Sequence, residues 1–203
     1  MSARKLAFLF LSLGLLLPPF RAFATTVEAP EFDQLVRQAD YVVRAVTKSV
    51  TSEWREHAGR RFIATKVELE VKEVIRGKPP SPLVLDMVGG RMGEEELVIE
   101  GAPRFYVGDE NILFVRGNGR VFYPLVAVMH GVYPIFYDAK SGRDLVVRSN
   151  GMPLYSERDV SLPMTELSEV KVRNPQARPI TAATFSSKIR ATGPKSTAPT
   201  RAR

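Results

Sequence analysis

The sequence predicts a mainly β protein: an antiparallel OB-like barrel, or a small sandwich, with one short helix before the strands and one after them. Three observations predict it. Runs of β-branched and aromatic residues recur at regular spacing between Gly and Pro turns, in about seven or eight segments. The longest run, residues 61–77, sets Val67, Leu69 and Val71 on one side and Lys66, Glu68, Glu70 and Lys72 on the other. That alternation then slips by one residue near Lys72-Glu73, as a β-bulge does where a strand bends round a barrel corner.

Taken in order, Pro30 starts a helix of about two turns, with Phe32, Leu35 and Val36 on one face. A strand opens at Tyr41 and runs to about Thr51, and the polar stretch 52–60 reads as a turn. The long strand 61–77 follows, with Val67, Leu69 and Val71 inside and a bulge returning Val74 to the same interior. Prolines 79, 80 and 82 end it. Residues 83–90 form a strand stopped by Gly89-Gly90, and 94–101 a shorter one with a charged start. Residues 111–129 place two apolar runs around Gly117-Asn118-Gly119, the strongest hairpin signal in the chain. Residues 131–151 repeat the scheme with a wider turn at 138–142. The last helix falls within 161–174, with Ser161 as its cap and Leu162, Leu167 and Val170 as its apolar side. No internal repeat of fixed period is present.

The ends of the 203-residue chain read differently from its body. Residues 1–24 have a basic start (Arg4, Lys5), an apolar stretch over 6–17 and a small-residue site at Ala22-Phe23-Ala24, the pattern of a cleaved secretory signal peptide. Its apolar stretch is shorter than the roughly 20 residues a bilayer span needs, so no membrane span is expected after cleavage, and the mature chain is expected to start at Thr25. Of the net charge of +7, three units lie in 1–24 and six in 174–203, which leaves −2 on the body, residues 25–173. A nucleic-acid-binding body is therefore not indicated. Residues 174–203 combine Pro, Thr, Ala, Ser and basic side chains with little apolar content, which predicts a disordered basic tail. The chain has no cysteine, so its core needs no disulfide, and thiolate catalysis and cysteine-held metals are excluded.

The strand at 39–50, which opens Ala-Asp-Tyr-Val, is followed by a long strand ending Val74-Ile75-Arg76-Gly77. Then comes a loop, Gly101-Ala102-Pro103-Arg104-Phe105-Tyr106-Val107-Gly108-Asp109, that leads into an apolar strand. This order resembles a group of uncharacterised exported bacterial proteins. The same outline is similar to the five-stranded OB-type barrel of netrin-like modules and tissue inhibitors of metalloproteinases. The resemblance implies a fold and an exported compartment. The inhibitory activity does not follow, because it depends on an N-terminal cysteine and bracing disulfides that this chain lacks.

Candidate binding residues are Trp54, the single tryptophan, with Arg104, Tyr106, Tyr123 and His130. Aromatic and Arg side chains carry most interface hot spots, which favours the first four. Within 101–115, Phe105 is expected to pack inward in a layer continued by Ile112 and Phe114, leaving Arg104 and Tyr106 outside. The segment then reads as a lid on the core. The two histidines, His57 and His130, are 73 positions apart, have no metal-ligand spacing, and imply no metal or cofactor. Gly89-Gly90-Arg91-Met92-Gly93 lacks the Lys-Ser/Thr of a phosphate loop and reads as a hairpin connection. Of Glu94, Glu95 and Glu96, only the first and third share a strand face, so a charged edge strand is expected.

These readings point to an exported, non-catalytic binding module that recognises an envelope protein or glycan through its barrel face or rim. The alternatives are a hydrolase using His130 with a carboxylate, and a binder of anionic polymer driven by the basic tail.

Overall fold

The computed structural model describes residues 29–193. The signal segment expected at 1–24 and the end of the basic tail, 194–203, lie outside the described residues. A short helix, α1 (Phe32–Gln38), leads into β1 (Tyr41–His57) and β2 (Arg60–Arg76), each a strand of 17 residues. β3 (Leu83–Val88) follows, then the small hairpin of β4 (Gly90–Met92) and β5 (Glu95–Leu97). β6 (Glu110–Val115), β7 (Val132–Asp138) and β8 (Arg143–Val146) complete the main sheet, whose order is β3-β2-β1-β6-β7-β8. Every ladder in it is antiparallel. Two helices follow: α2 (Glu169–Arg173) and α3 (Ala182–Ala191).

The mainly β, antiparallel architecture is as expected, but the sheet is not closed into a barrel. Its β3 edge is finished by a loop. Asn118 Oδ1 accepts from the Asp86 amide (3.3 Å), Asn118 Nδ2 donates to the Val84 carbonyl (2.7 Å), and the Val88 amide donates to Phe122 O (3.0 Å). The side chain of Asn118 thus does the work of a neighbouring strand, which protects an edge that would otherwise pair with another chain. This also corrects the hairpin expected at 117–119. Among the described residues, the segment 117–127 joins β6 through a single bridge, Val115 to Leu125, and β6 takes β7 as its strand partner on that side.

The stretch 52–60, expected as a turn, is mostly strand. β1 continues to His57, and the reversal needs only Ala58 (φ 50°) and Gly59 (φ 73°). Two consecutive left-handed residues make a turn whose twist matches the strands, so the hairpin runs to its tip. On β2, Val67 and Leu69 are buried and Val71 half-buried, while Lys66, Glu68 and Glu70 face solvent, as the alternation requires. Lys72 is passed over in the β1–β2 register, between Ala45↔Val71 and Arg44↔Glu73, so the bulge sits where the slip in pattern placed it. It returns Val74 to a position opposite Val43. Val74 nonetheless remains 47% exposed, because β3 pairs β2 only as far as Leu69 and nothing covers that end. A second skip, at Ile75, turns that side chain into the opposite core.

Two cores flank the sheet. On one face, Val67 of β2 and Leu83, Leu85 and Met87 of β3 form one cluster with Val43, Leu113 and Val115, joined by Phe105 and Leu125 from the loops on either side of β6. On the other, Val42, Ile112 and Phe114 are covered by α1 through Leu35 and Val36 and by α3 through Phe185 and Ile189. The latter contact corrects the boundary drawn at Asn174. Residues 182–191 are a helix, capped by Thr181 Oγ1 accepting from the Thr184 amide, and they belong to the core. Phe185 is fully buried, with ring centroids 5.0 Å from Tyr133, 5.8 Å from Phe32 and 6.1 Å from Phe114. The tail looked unfoldable because its apolar residues are few, but Ala182, Phe185 and Ile189 recur at helical spacing on one face. The helix expected within 161–174 shrinks to α2, which buries no residue and is preceded by Ser168 rather than Ser161.

Phe185→Ala should cost about 3–5 kcal/mol in urea denaturation, the range for emptying a core aromatic site. Deleting residues 174–203 should unfold the protein by circular dichroism; a truncated chain that keeps the wild-type midpoint would show that α3 is dispensable.

Candidate functional site

Over β1–β3, a cleft of about 260 Å³ opens between the β4–β5 hairpin and the loop 98–106. Its floor is Val50 and Ser52 of β1, Thr65 and Val67 of β2, and Met87 of β3; its lip is Arg91, Glu96, Val98, Ile99, Arg104 and Tyr106. Gly90 lets the chain cross that floor. Its φ is 132°, and a Cβ there would collide with the hydroxyls of Thr65 and Ser52.

The hydroxyls beneath the cleft are already committed. Thr65 Oγ1 donates to the Gly89 carbonyl at 2.6 Å, so in the 3.0 Å pair between Ser52 and Thr65 it is Ser52 that donates. Tyr123 donates its phenol to the Pro103 carbonyl at 3.1 Å, and burial raises its pKa above the ordinary value. The floor therefore presents apolar surface with its polar groups satisfied from within.

The segment 101–115 behaves as the sequence suggested in its main feature. Phe105 is buried while Arg104 and Tyr106, on either side, point outward with exposures of 68% and 61%. A turn fastens it to β1: the Gly108 amide donates to Thr47 O and the Thr47 amide to Asp109 O, each at 2.9 Å, with Gly108 at φ 94°. The layer assignment needs correcting, however. Phe105 packs in the core that holds Leu113 and Val115, whereas Ile112 and Phe114 belong to the opposite one, because adjacent strand residues face opposite ways.

Three of the five sequence candidates, Arg104, Tyr106 and Tyr123, thus line one cleft. Trp54 does not. It lies on β1 toward the hairpin tip, where the Arg61 guanidinium stacks 3.9 Å over its ring, and the neighbouring Arg55 is bonded to Glu53 (2.7 Å) and Asp86 (2.5 Å). His130 lies apart as well, 5% exposed in the short 3₁₀ turn Val128–Gly131. Burial holds its pKa below the ordinary 6.5, the nearby Arg148 charge adds to that, and a hydrogen bond with the Val160 backbone opposes it. Among the described residues no carboxylate hydrogen-bonds to His130, so the pair that a hydrolase reading needs is not assembled there. Arg148, itself buried, donates to the carbonyls of Leu162, Pro163 (2.9 Å) and Glu166 (3.2 Å), which pins the segment before α2.

The hairpin expectation for 89–93 is correct in kind: β4 and β5 pair Arg91 with Glu96. Arg91 Nη2 lies 2.8 Å from Glu96 Oε2, and this bond holds the Glu96 carboxyl below its usual range. Among the described residues no group of three or more His, Cys, Asp or Glu is arranged to hold a metal ion, and no helix is long and apolar enough to cross a membrane. Sequence reasoning missed Val98 and Ile99, which remain 61% and 38% exposed at the lip. The available signal was an apolar pair, Val98-Ile99, just before a loop glycine, with too few residues to form a buried strand. No protein-family profile and no curated protein matches the chain.

Phe105→Ala should destabilise by about 3 kcal/mol or more, while Arg104→Ala should stay within about 0.5 kcal/mol, as surface changes do. Equal losses at both positions in chemical denaturation would contradict the inward and outward placement. For His130, the fold favours the neutral ring, so below the ordinary 6.5 the unfolded chain binds the proton more readily. Its contribution to stability is therefore intact above that pH and is lost as the pH falls through the lowered folded value. Denaturation midpoints at pH values of about 7.5 and 5.5 should differ in the wild type, and by less in His130→Gln.

Proposed function

We propose that the protein is an exported, non-catalytic binding module whose cleft receives apolar side chains of a protein partner in the cell envelope. The observation that carries this reading is the cleft's composition: an apolar floor whose Ser52, Thr65 and Tyr123 hydroxyls are bonded internally, beneath a lip of exposed Val98, Ile99 and Tyr106. A glycan needs unspent donors and acceptors where it lies, and this floor offers few. At about 260 Å³ the cleft is also smaller than the roughly 300–1,000 Å³ that enclose a whole small molecule. One or two side chains anchored in a pocket, with a polar surround, is how protein hot spots are built. An exposed apolar lip fits the same use. The secretory pattern of residues 1–24 supports an envelope or extracellular setting. The resemblance to netrin-like modules belongs to this reading too.

A photo-crosslinking residue placed in the producing cell at position 106 or 98 should yield a discrete protein adduct, and one at position 70, on the solvent side of β2, should not. Tyr106→Ala should weaken that capture about tenfold or more while leaving the unfolding midpoint nearly unchanged. Adducts of equal yield from all three positions would sink the proposal.

A further inference from the structure

Two of the exposed apolar surfaces of the described residues match each other in charge. The first is the cleft with its surround. Residues 91–104 carry Arg91 and Arg104 against Glu94, Glu95, Glu96 and Glu100, a net charge of −2. Arg91 is spent on Glu96, and Arg104 approaches the same carboxylate at 3.9 Å. Glu94, Glu95 and Glu100 are exposed and make no ion pair among the described residues. An apolar cleft with a free acidic border suits an occupant that is apolar and basic.

The second surface is α2 and the chain after it. Leu167, Val170 and Val172 are 62%, 39% and 66% exposed, and α2 buries none of its residues. Residues 167–178 carry Lys171, Arg173 and Arg178 against Glu169, a net charge of +2; Arg173 pairs with Glu169 at 3.0 Å, which leaves Lys171 and Arg178 without an ion pair among the described residues. This knob is held in place rather than loose, because Arg148 grips the carbonyls of Leu162, Pro163 and Glu166 just before it. A preformed apolar knob loses little conformational entropy on docking.

We propose that the cleft of one molecule receives residues 167–178 of a second copy of the chain. Leu167 and Val172, the N′ and N4 positions of α2, then lie against Val98, Ile99 and Tyr106, with Lys171 and Arg178 facing Glu94, Glu95 and Glu100. This rests on the reading of the cleft as a protein-binding site. Cleft and knob are different patches, so the contact is heterologous, and copies add head to tail unless the rotation closes a ring.

Sedimentation velocity of the purified protein should show a mass that rises with concentration and falls as salt is raised, since the border charges are screened. Val98→Asp in the cleft and Val172→Glu in the knob should each weaken self-association about tenfold or more, with circular dichroism unchanged. Tyr106→Ala substitutes for the cleft variant should Val98→Asp fail to fold. An equimolar mixture of the two variants should form a one-to-one dimer, because one keeps its knob and the other its cleft. A single-protomer mass at every concentration, variants that assemble like the wild type, or a mixture that stays monomeric would each overturn the proposal. A monomer that still crosslinks from position 106 to a different protein would overturn the second copy while leaving the binding reading intact.

Discussion

β6 and the first part of β1, residues 41–47, are packed on both faces, and the rest of the molecule is arranged to make that possible. Val43 and Leu113 face one core, and Val42 and Phe114 the other. A strand pair that is apolar on both sides needs two separate covers. One is formed by Phe105 and Leu125, from the loops on either side of β6, which join the cluster of Val43, Leu113 and Val115. The other is a pair of helices from the two ends of the described chain, α1 and α3, which meet through Phe32 and Phe185. Without either cover, a row of branched and aromatic side chains would face water.

The cleft lies beside the first cover. β3 pairs β2 only from Ala64 to Leu69, and Thr65, Val67 and Met87 of this short ladder form its floor. The β4–β5 hairpin and the loop 98–106 border the space without filling it. Tyr123 and Phe105 anchor the loop, the first through the Pro103 carbonyl and the second by burial. The outward neighbours Arg104 and Tyr106 are then presented at a fixed lip, held by rigid packing rather than by the loop's own preferences.

Electrostatics divides the surface in the same way. On the helix side Arg190 and Ser186 bond to Glu73, and Lys188 to Glu157, so the charges of α3 are matched across the packing contact. Arg44 bridges Glu110 and Asp144, each at 2.6 Å, tying β1 to strands on its other side. These part-buried pairs leave the charge at other places unmatched. The acidic border of the cleft and the basic residues Lys171 and Arg178, in and after α2, are two places where such charge remains.

Local rules were enough to read the parts of the chain that depend on neighbours in sequence. The alternation at 66–71, the slip at Lys72, the turn at 138–142, the first helix and the inward Phe105 are all set by side-chain period and backbone sterics, which a single strand or turn already expresses. The site was legible in part: Arg104, Tyr106 and Tyr123 were marked as exposed or amphipathic groups, but nothing in their spacing joined them to Thr65 or Gly90. Tertiary contacts decided everything that required a distant partner. Asn118 became an edge cap because β3 lies beside it, not a hairpin turn as its glycines suggest. Residues 182–191 became core because Phe114 and Tyr133 offered Phe185 a place, although their local composition resembles a disordered tail. Trp54 and His130 were drawn away from the cleft by Arg61 stacking and by burial beside Arg148. Side-chain period is a property of adjacent residues, whereas burial is a property of whatever the chain folds against, and only the folded sheet sets that.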